Sequence, residues 1–150
     1  MNVEIFGIEA ADAMREALAI RTSVFVEEQG VPPEEEIDAH DRTDASAVHA
    51  LARLHGRAVG AGRYYIIDAD TVQVGRMAVL ADARGAGVGS ALLAALLRTA
   101  AERGFTRAHL HAQQHAREFY ARAGFVDDGE MLWDAGISHQ PMTLQNFFGN

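Results

Sequence analysis

Arg84-Gly85-Ala86-Gly87-Val88-Gly89-Ser90 stands between a strand-like run and the most regular helix of the chain. Three alternating glycines let the backbone approach a ligand closely, and the helix that follows offers unpaired N–H groups at its positive dipole end. Together these predict an anion cradle, most naturally for a pyrophosphate. A dinucleotide fingerprint needs Gly-x-Gly-x-x-Gly after the first strand, and here the third gap is wrong. Outward from the cradle, Val88, Leu92 and Leu96 recur every four residues with Leu93 and Leu97 beside them, and Gly104 closes the helix. Upstream, residues 71–80 read as a strand, and residues 46–54 and 58–68 as a hairpin about His55-Gly56-Arg57. Residues 2–8 alternate as a strand, and 10–28 carry Met14, Leu18 and Phe25 on one helical stripe, ended by Gly30-Val31-Pro32-Pro33. Downstream come a strand at 106–113, a short helix to Ala123 ended by Gly124, and an antiparallel pair at 125–134 and 139–146. The predicted order, β-α-β-β-β-α-β-α-β-β, makes an α+β (mixed α/β) plan on one sheet, with no repeat or linker dividing residues 1–150.

Composition narrows the chemistry. The 150 residues carry a net charge of −8, a poor match for a phosphate backbone, so nucleic acid is not an expected partner. All 13 basic residues are arginine, which excludes a Walker P-loop, a Schiff-base enzyme and a Ser-x-x-Lys acyl enzyme. With no cysteine, disulfide scaffolds, thiol nucleophiles and zinc knuckles drop out. Ser23, Ser46, Ser90 and Ser138 never stand in Gly-x-Ser-x-Gly, so the hydrolase elbow is missing. No apolar run approaches the roughly 18 residues that span a bilayer, and the start lacks a basic n-region. A cytoplasmic protein without membrane attachment is expected.

Arg84-x-x-Gly87-x-Gly89 resembles the Arg/Gln-x-x-Gly-x-Gly/Ala signature of the Gcn5-related N-acetyltransferases (GNAT), which cradles the coenzyme A pyrophosphate. Gly75-Arg76-Met77-Ala78-Val79 resembles that family's fourth strand, whose backbone pairs with the pantetheine arm. Gln113-x-x-Ala116-x-x-Phe119-Tyr120-x-x-x-Gly124-Phe125 resembles its second half-motif, with Gln113 where Asn is usual. Arg21-x-x-Val24-Phe25-Val26-x-Glu28-Gln29, then Pro32, Glu36, Asp38 and Asp41, is similar to the bacterial ElaA/YjcF-like subgroup. So is Gly136-Ile137-Ser138-His139-x-x-Met142.

The resemblance implies a strongly twisted, mainly antiparallel sheet of about seven strands flanked by helices. It also implies an N-acetyltransferase moving acetyl from acetyl-CoA to an amine by direct attack, without metal. The co-substrate would lie on Met77, Ala78, Val79, Arg84, Gly85, Ala86, Gly87, Val88, Gly89, Ser90, Gln113, Ala116, Phe119 and Tyr120. The acceptor would be a small amine or a peptide N-terminus, and a homodimer is common in such proteins. Direct attack fits a chain without cysteine, lysine or a serine elbow. It needs an oxyanion donor, here the backbone N–H near Val79, a base for the ammonium proton and an acid for the thiolate.

Tyr120 is the candidate acid, although Ala116, Phe119, Tyr120 and Ala123 also form one helical stripe that would make it core. Glu28 is the candidate base. Arg21 and Glu28 share a face with Phe25, which places them either in a cleft or, if the helix kinks at Thr22-Ser23-Val24, in solvent. His139 or Asp41 is the candidate to orient the amine, His111 is expected to line the transfer cleft, and Arg21 and Phe25 are expected on the acceptor side. The acidic run Glu34-Glu35-Glu36 and Asp38 reads as a solvated loop, also able to attract a cation. Two rival functions remain: a catalytically silent acyl-CoA-binding module, and a metal-dependent hydrolase built on His109-x-His111-x-x-x-His115.

Overall fold

In the computed structural model, which describes residues 1–147, eight strands form one sheet with helices on both faces. They are β1 (Asn2–Phe6), β2 (Val48–Leu54), β3 (Arg57–Ile66), β4 (Thr71–Val79), β5 (Arg107–Gln113), β6 (Val126–Asp127), β7 (Leu132–Asp134) and β8 (Ile137–Gln145). The order is β1-β2-β3-β4-β5-β8-β6, with β7 also on β8. Every pairing is antiparallel except β4 with β5. The expected strand at 125–134 is split, because residues 128–131 leave the ladder and β6 and β7 meet β8 separately.

The helices are α1 (Ala11–Arg21), α2 (Pro33–Glu36), α3 (Ala39–Arg42), α4 (Val88–Glu102) and α5 (Arg117–Arg122). Val88, Leu92 and Leu96 of α4 bury against Val72, Val74, Ala108 and Leu110 on one sheet face. Ala17, Ile20 and Val24 cover Leu51, Ala61 and Ala78 on the other. Alternation along each strand divides the two faces, so the apolar pattern alone builds a three-layer stack. Gly60 decides how closely α4 lies on β3: a Cβ there would stand 2.6 Å from Val88 Cγ1 and 2.9 Å from Leu92 Cδ1. That contact brings the start of α4 down beside β4.

The first helix does not kink after Arg21. It widens into a π-helical stretch, Thr22–Glu28, whose end is marked by the bond from Gln29 N–H to Val24 O (3.2 Å). The wider turn breaks the heptad relation between residues 21 and 28. Arg21 therefore turns inward, while Glu28 reaches a rim.

Candidate functional site

β4 and β5 pair over three positions only, Thr71–Arg107, Val72–Ala108 and Gln73–His109, and then diverge. The cause lies on β4, where Arg76 and Met77 together oppose the single residue Gly62 of β3, with Arg76 at φ +52°. This bulge bends β4 away from its neighbour. A cleft of about 580 Å³ opens in the gap, lined among others by Val74, Met77 and Val79 of β4 and Leu110, His111 and Gln113 of β5.

Leu80 N–H donates to Val59 O at 2.9 Å. Successive backbone groups of a strand point opposite ways, so the N–H and C=O of Val79 face the gap. Arg84 Nε caps that carbonyl at 3.0 Å. The Val79 N–H is left as a donor toward the cleft, at the place where the oxyanion was expected.

At the end of the gap, α4 begins on Gly87, held at φ +81°. The first intrahelical bond runs from Ala91 N–H to Gly87 O (3.1 Å), and no side chain caps the turn. The N–H groups of Val88, Gly89 and Ser90 precede that bond and stay open for an anion. Gly85, Ala86 and Gly87 are exposed, whereas the Val88 side chain is core.

Phe119 packs behind this loop, 3.4 Å from where a Gly89 Cβ would lie, and does not line the cleft. Ala78 turns its side chain to the opposite face, leaving only its backbone on β4. Ala116 and Tyr120 do line the cleft. Tyr120 is also part of the α4-side core, stacked edge-on with Phe119 and Phe125. Burial pushes its phenol well above the usual tyrosine range.

Two adjacent residues at the end of the π stretch bridge the mouth. Both Glu28 oxygens accept from Arg84 Nη2, at 2.9 and 3.0 Å. Gln29 Oε1 accepts from Gln113 Nε2 at 2.9 Å, reaching the end of β5 from the opposite wall. Both oxygens of Glu28 are thus occupied in anchoring Arg84.

Arg21 and Asp41, expected on the acceptor, lie behind the cleft wall. Asp41 Oδ1 accepts from Arg21 Nη1 (2.7 Å) and Arg63 Nη1 (2.9 Å). Its Oδ2 accepts from Arg21 Nη2 (2.9 Å) and the Asp38 backbone (3.0 Å). Arg21 Nε donates to Glu36 Oε1 at 3.0 Å, and Arg63 grips Asp38 at 2.6 and 2.7 Å. Arg76, aimed by its bulge, reaches the Glu36 carbonyl at 3.1 Å. The acidic run is therefore not a solvated loop at Glu36, which is 2% exposed; Arg21 draws it inward and offsets its desolvation. Burial pushes the Asp41 carboxyl up, but the hydrogen bonds from Arg21 and the charges of Arg21 and Arg63 outweigh it and hold it far below the usual range.

Phe25, Glu28, His111 and His139 line the cleft. So do Arg63, Tyr65, Gln73 and Arg76, which the sequence reading missed. Arg63 carried a signal, a charge within the small-residue run of β3. Arg76 carried none, because its aim depends on the bulge. His109 and His111 lie 5.2 Å apart, centre to centre, but no three His, Asp or Glu side chains among the described residues converge as a metal-binding group.

A model of the acetyltransferase (GNAT) family matches residues 12–125. The chain is 37% identical to the Uncharacterized N-acetyltransferase YjcF of Bacillus subtilis over 133 residues, 87% of this chain and 91% of that one. It superposes on Escherichia coli ElaA with a TM-score of 0.84 at 27% identity, covering 96% of this chain and 99% of ElaA. An aminoglycoside 6'-N-acetyltransferase complexed with coenzyme A shares the fold at a TM-score of 0.74 and 15% identity, over 97% of both chains.

Proposed function

Because this chain belongs to the GNAT family of acetyltransferases, and is thus an N-acyltransferase drawing on an acyl-CoA, we propose that its donor is acetyl-CoA, bound in the gap between β4 and β5. The observation that carries this is the open edge of β4 ending on the uncapped first turn of α4. A pantetheine amide pairs with such an edge as a strand would, and the pyrophosphate takes the N–H groups of Val88, Gly89 and Ser90. No metal is part of this reading.

In the proposed reaction the Val79 N–H steadies the oxyanion and Tyr120 returns a proton to the leaving thiolate. A phenol whose pKa burial has raised holds its proton through the working range, as an acid must. The acceptor is a primary amine, either a small cation or amino acid or the N-terminus of a peptide. Acidic lining residues such as Glu35 and Asp134 and the net charge of −8 favour cations over nucleic acid. The protein acts in the cytoplasm, alone or as a homodimer.

Calorimetric titration with acetyl-CoA, with dephospho-CoA and NAD as controls, tests the reading; a folded protein that binds no acetyl-CoA refutes it. A Tyr120→Phe variant is expected to lose about 100-fold in kcat while acetyl-CoA affinity stays within about twofold. Equal turnover in Tyr120→Phe would remove the phenol from the chemistry. A wild-type protein that binds acetyl-CoA yet transfers nothing would be the silent module.

A further inference from the structure

On the cleft side of β5, His109, His111 and Gln113 alternate with Ala108, Leu110 and Ala112, which pack into the α4-side core. One register row crosses the sheet through Gln73, His109 and Thr143. Thr143 has one hydroxyl proton and donates it to Asp128 Oδ2 at 2.7 Å. The Thr143 oxygen must then accept from His109 Nδ1, 3.1 Å away. His109 Nδ1 is thereby held as a proton-bearing nitrogen.

The edge-to-face stack of the His109 and His111 rings, with planes at 90°, orients His111 in the cleft. Neither nitrogen of His111 is bonded to another of the described residues. His139 on β8, its Nδ1 donating to Ile137 O at 2.8 Å, and Asp134 on β7 border the same end. Burial first, then the neighbouring His109 and His139, push the His111 imidazole below its ordinary value, with Asp134 opposing.

We infer that His111 is the catalytic base: a bare ring nitrogen takes one proton from the acceptor ammonium, and the Asp128–Thr143–His109 chain positions the ring. This rests on the acetyltransferase reading of the cleft. The freed amine attacks the thioester carbonyl, forming C–N as C–S breaks. The thiolate takes the phenolic proton, and the phenolate recovers one from the new amide nitrogen. His111 sheds its proton to solvent, so each turnover yields an acetylated amine, a thiol and one proton. An imidazole that is neutral at working pH suits this step better than Glu28, which Arg84 occupies.

The test combines three measurements on the full chain: acetyl-CoA titration calorimetry, the pH profile of acetyl transfer to a panel of primary amines, and an NMR titration of labelled histidines. Wild-type kcat/KM should fall on an acidic limb with a midpoint below about 6.5. His111→Gln should erase that limb and lower kcat about 100-fold, with acetyl-CoA affinity unchanged. Thr143→Val should move the limb without erasing it, a shift that loss of folded protein alone would not produce. His111→Gln turning over within about threefold of wild type, with the limb intact, overturns the assignment. So does a His111 ring that titrates at or above its ordinary value, whether or not the panel holds the right amine. Failure of the wild-type protein to bind acetyl-CoA overturns the reading beneath it, and is told apart by calorimetry.

Discussion

A Gly87→Glu variant is expected to bind acetyl-CoA about a thousandfold more weakly than the wild-type protein. Gly87 is the turn residue ahead of α4, and nothing lies within 4 Å of the Cβ it lacks. The new side chain therefore meets no wall, and the protein should still fold. The left-handed backbone, at φ +81°, adds strain of about 1 kcal/mol for any residue with a Cβ. The larger effect is electrostatic: a carboxylate about 4 Å from a phosphate, near a protein surface, opposes it by about 4 kcal/mol. At 1.4 kcal/mol per decade that is about three decades in Kd. Calorimetry reads the loss directly. Gly87→Ala is the control, carrying the strain without the charge, and should stay within about fivefold of wild type. Equal losses in the two variants would mean that the loop's shape, not its charge, governs binding.

The second large effect falls on stability. Asp41→Asn is expected to cost about 3–5 kcal/mol, or a drop in Tm of about 10–15 °C. The amide would turn a donor toward the guanidinium groups of Arg21 and Arg63, both nearly fully buried, and leave them only Glu36 and Asp38 as counter-charges. The Arg15–Asp12 pair, with side chains 72% and 92% exposed, supplies the contrast: Asp12→Ala should change stability by less than about 0.5 kcal/mol. Acid should act through the same carboxylate. Its folded pKa is depressed, so its stabilisation is complete above the unfolded value of about 3.9 and is lost as pH falls through that value toward the folded one. Asp38, lowered by Arg63 against its own burial, adds in the same direction. Urea titrations between pH 7 and pH 3 should show wild-type stability falling more steeply than that of Asp41→Asn. Parallel curves would take Asp41 out of the acid response.

What was legible from residues alone was local. The glycine run and the four-residue spacing of Val88, Leu92 and Leu96 state their conformations within one or two turns, and α4 follows them. The hairpin about His55-Gly56 is likewise written in two residues, both at positive φ. The open N–H groups at the start of α4 were readable for the same reason, being backbone groups of one short segment. The acceptor side was not. Arg21 finds Glu36 and Asp41 after 15 and 20 residues, and Arg63 finds Asp41 across 22, distances over which no periodicity runs. A run of glutamates looks solvated until a buried arginine arrives from another element. The bulge at Arg76 and the π stretch each add one residue to a regular repeat, and that slip redirects every side chain beyond it. Glu28 reaches the rim of the cleft in this way.

The parting of β4 from β5 also bears on how the protein behaves while empty. Beyond Gln73, two lengths of backbone with unspent donors and acceptors face each other in the middle of the sheet. Edge strands elsewhere are shielded by charge or brevity, but this inner pair, bordered by Val74 and Leu110, is a template for any extended chain. A co-substrate seated there, as proposed, would work as a removable strand and shield the gap from self-association. Stored without acetyl-CoA, the protein is then expected to form β-rich aggregates sooner than with it, which light scattering of the two samples checks.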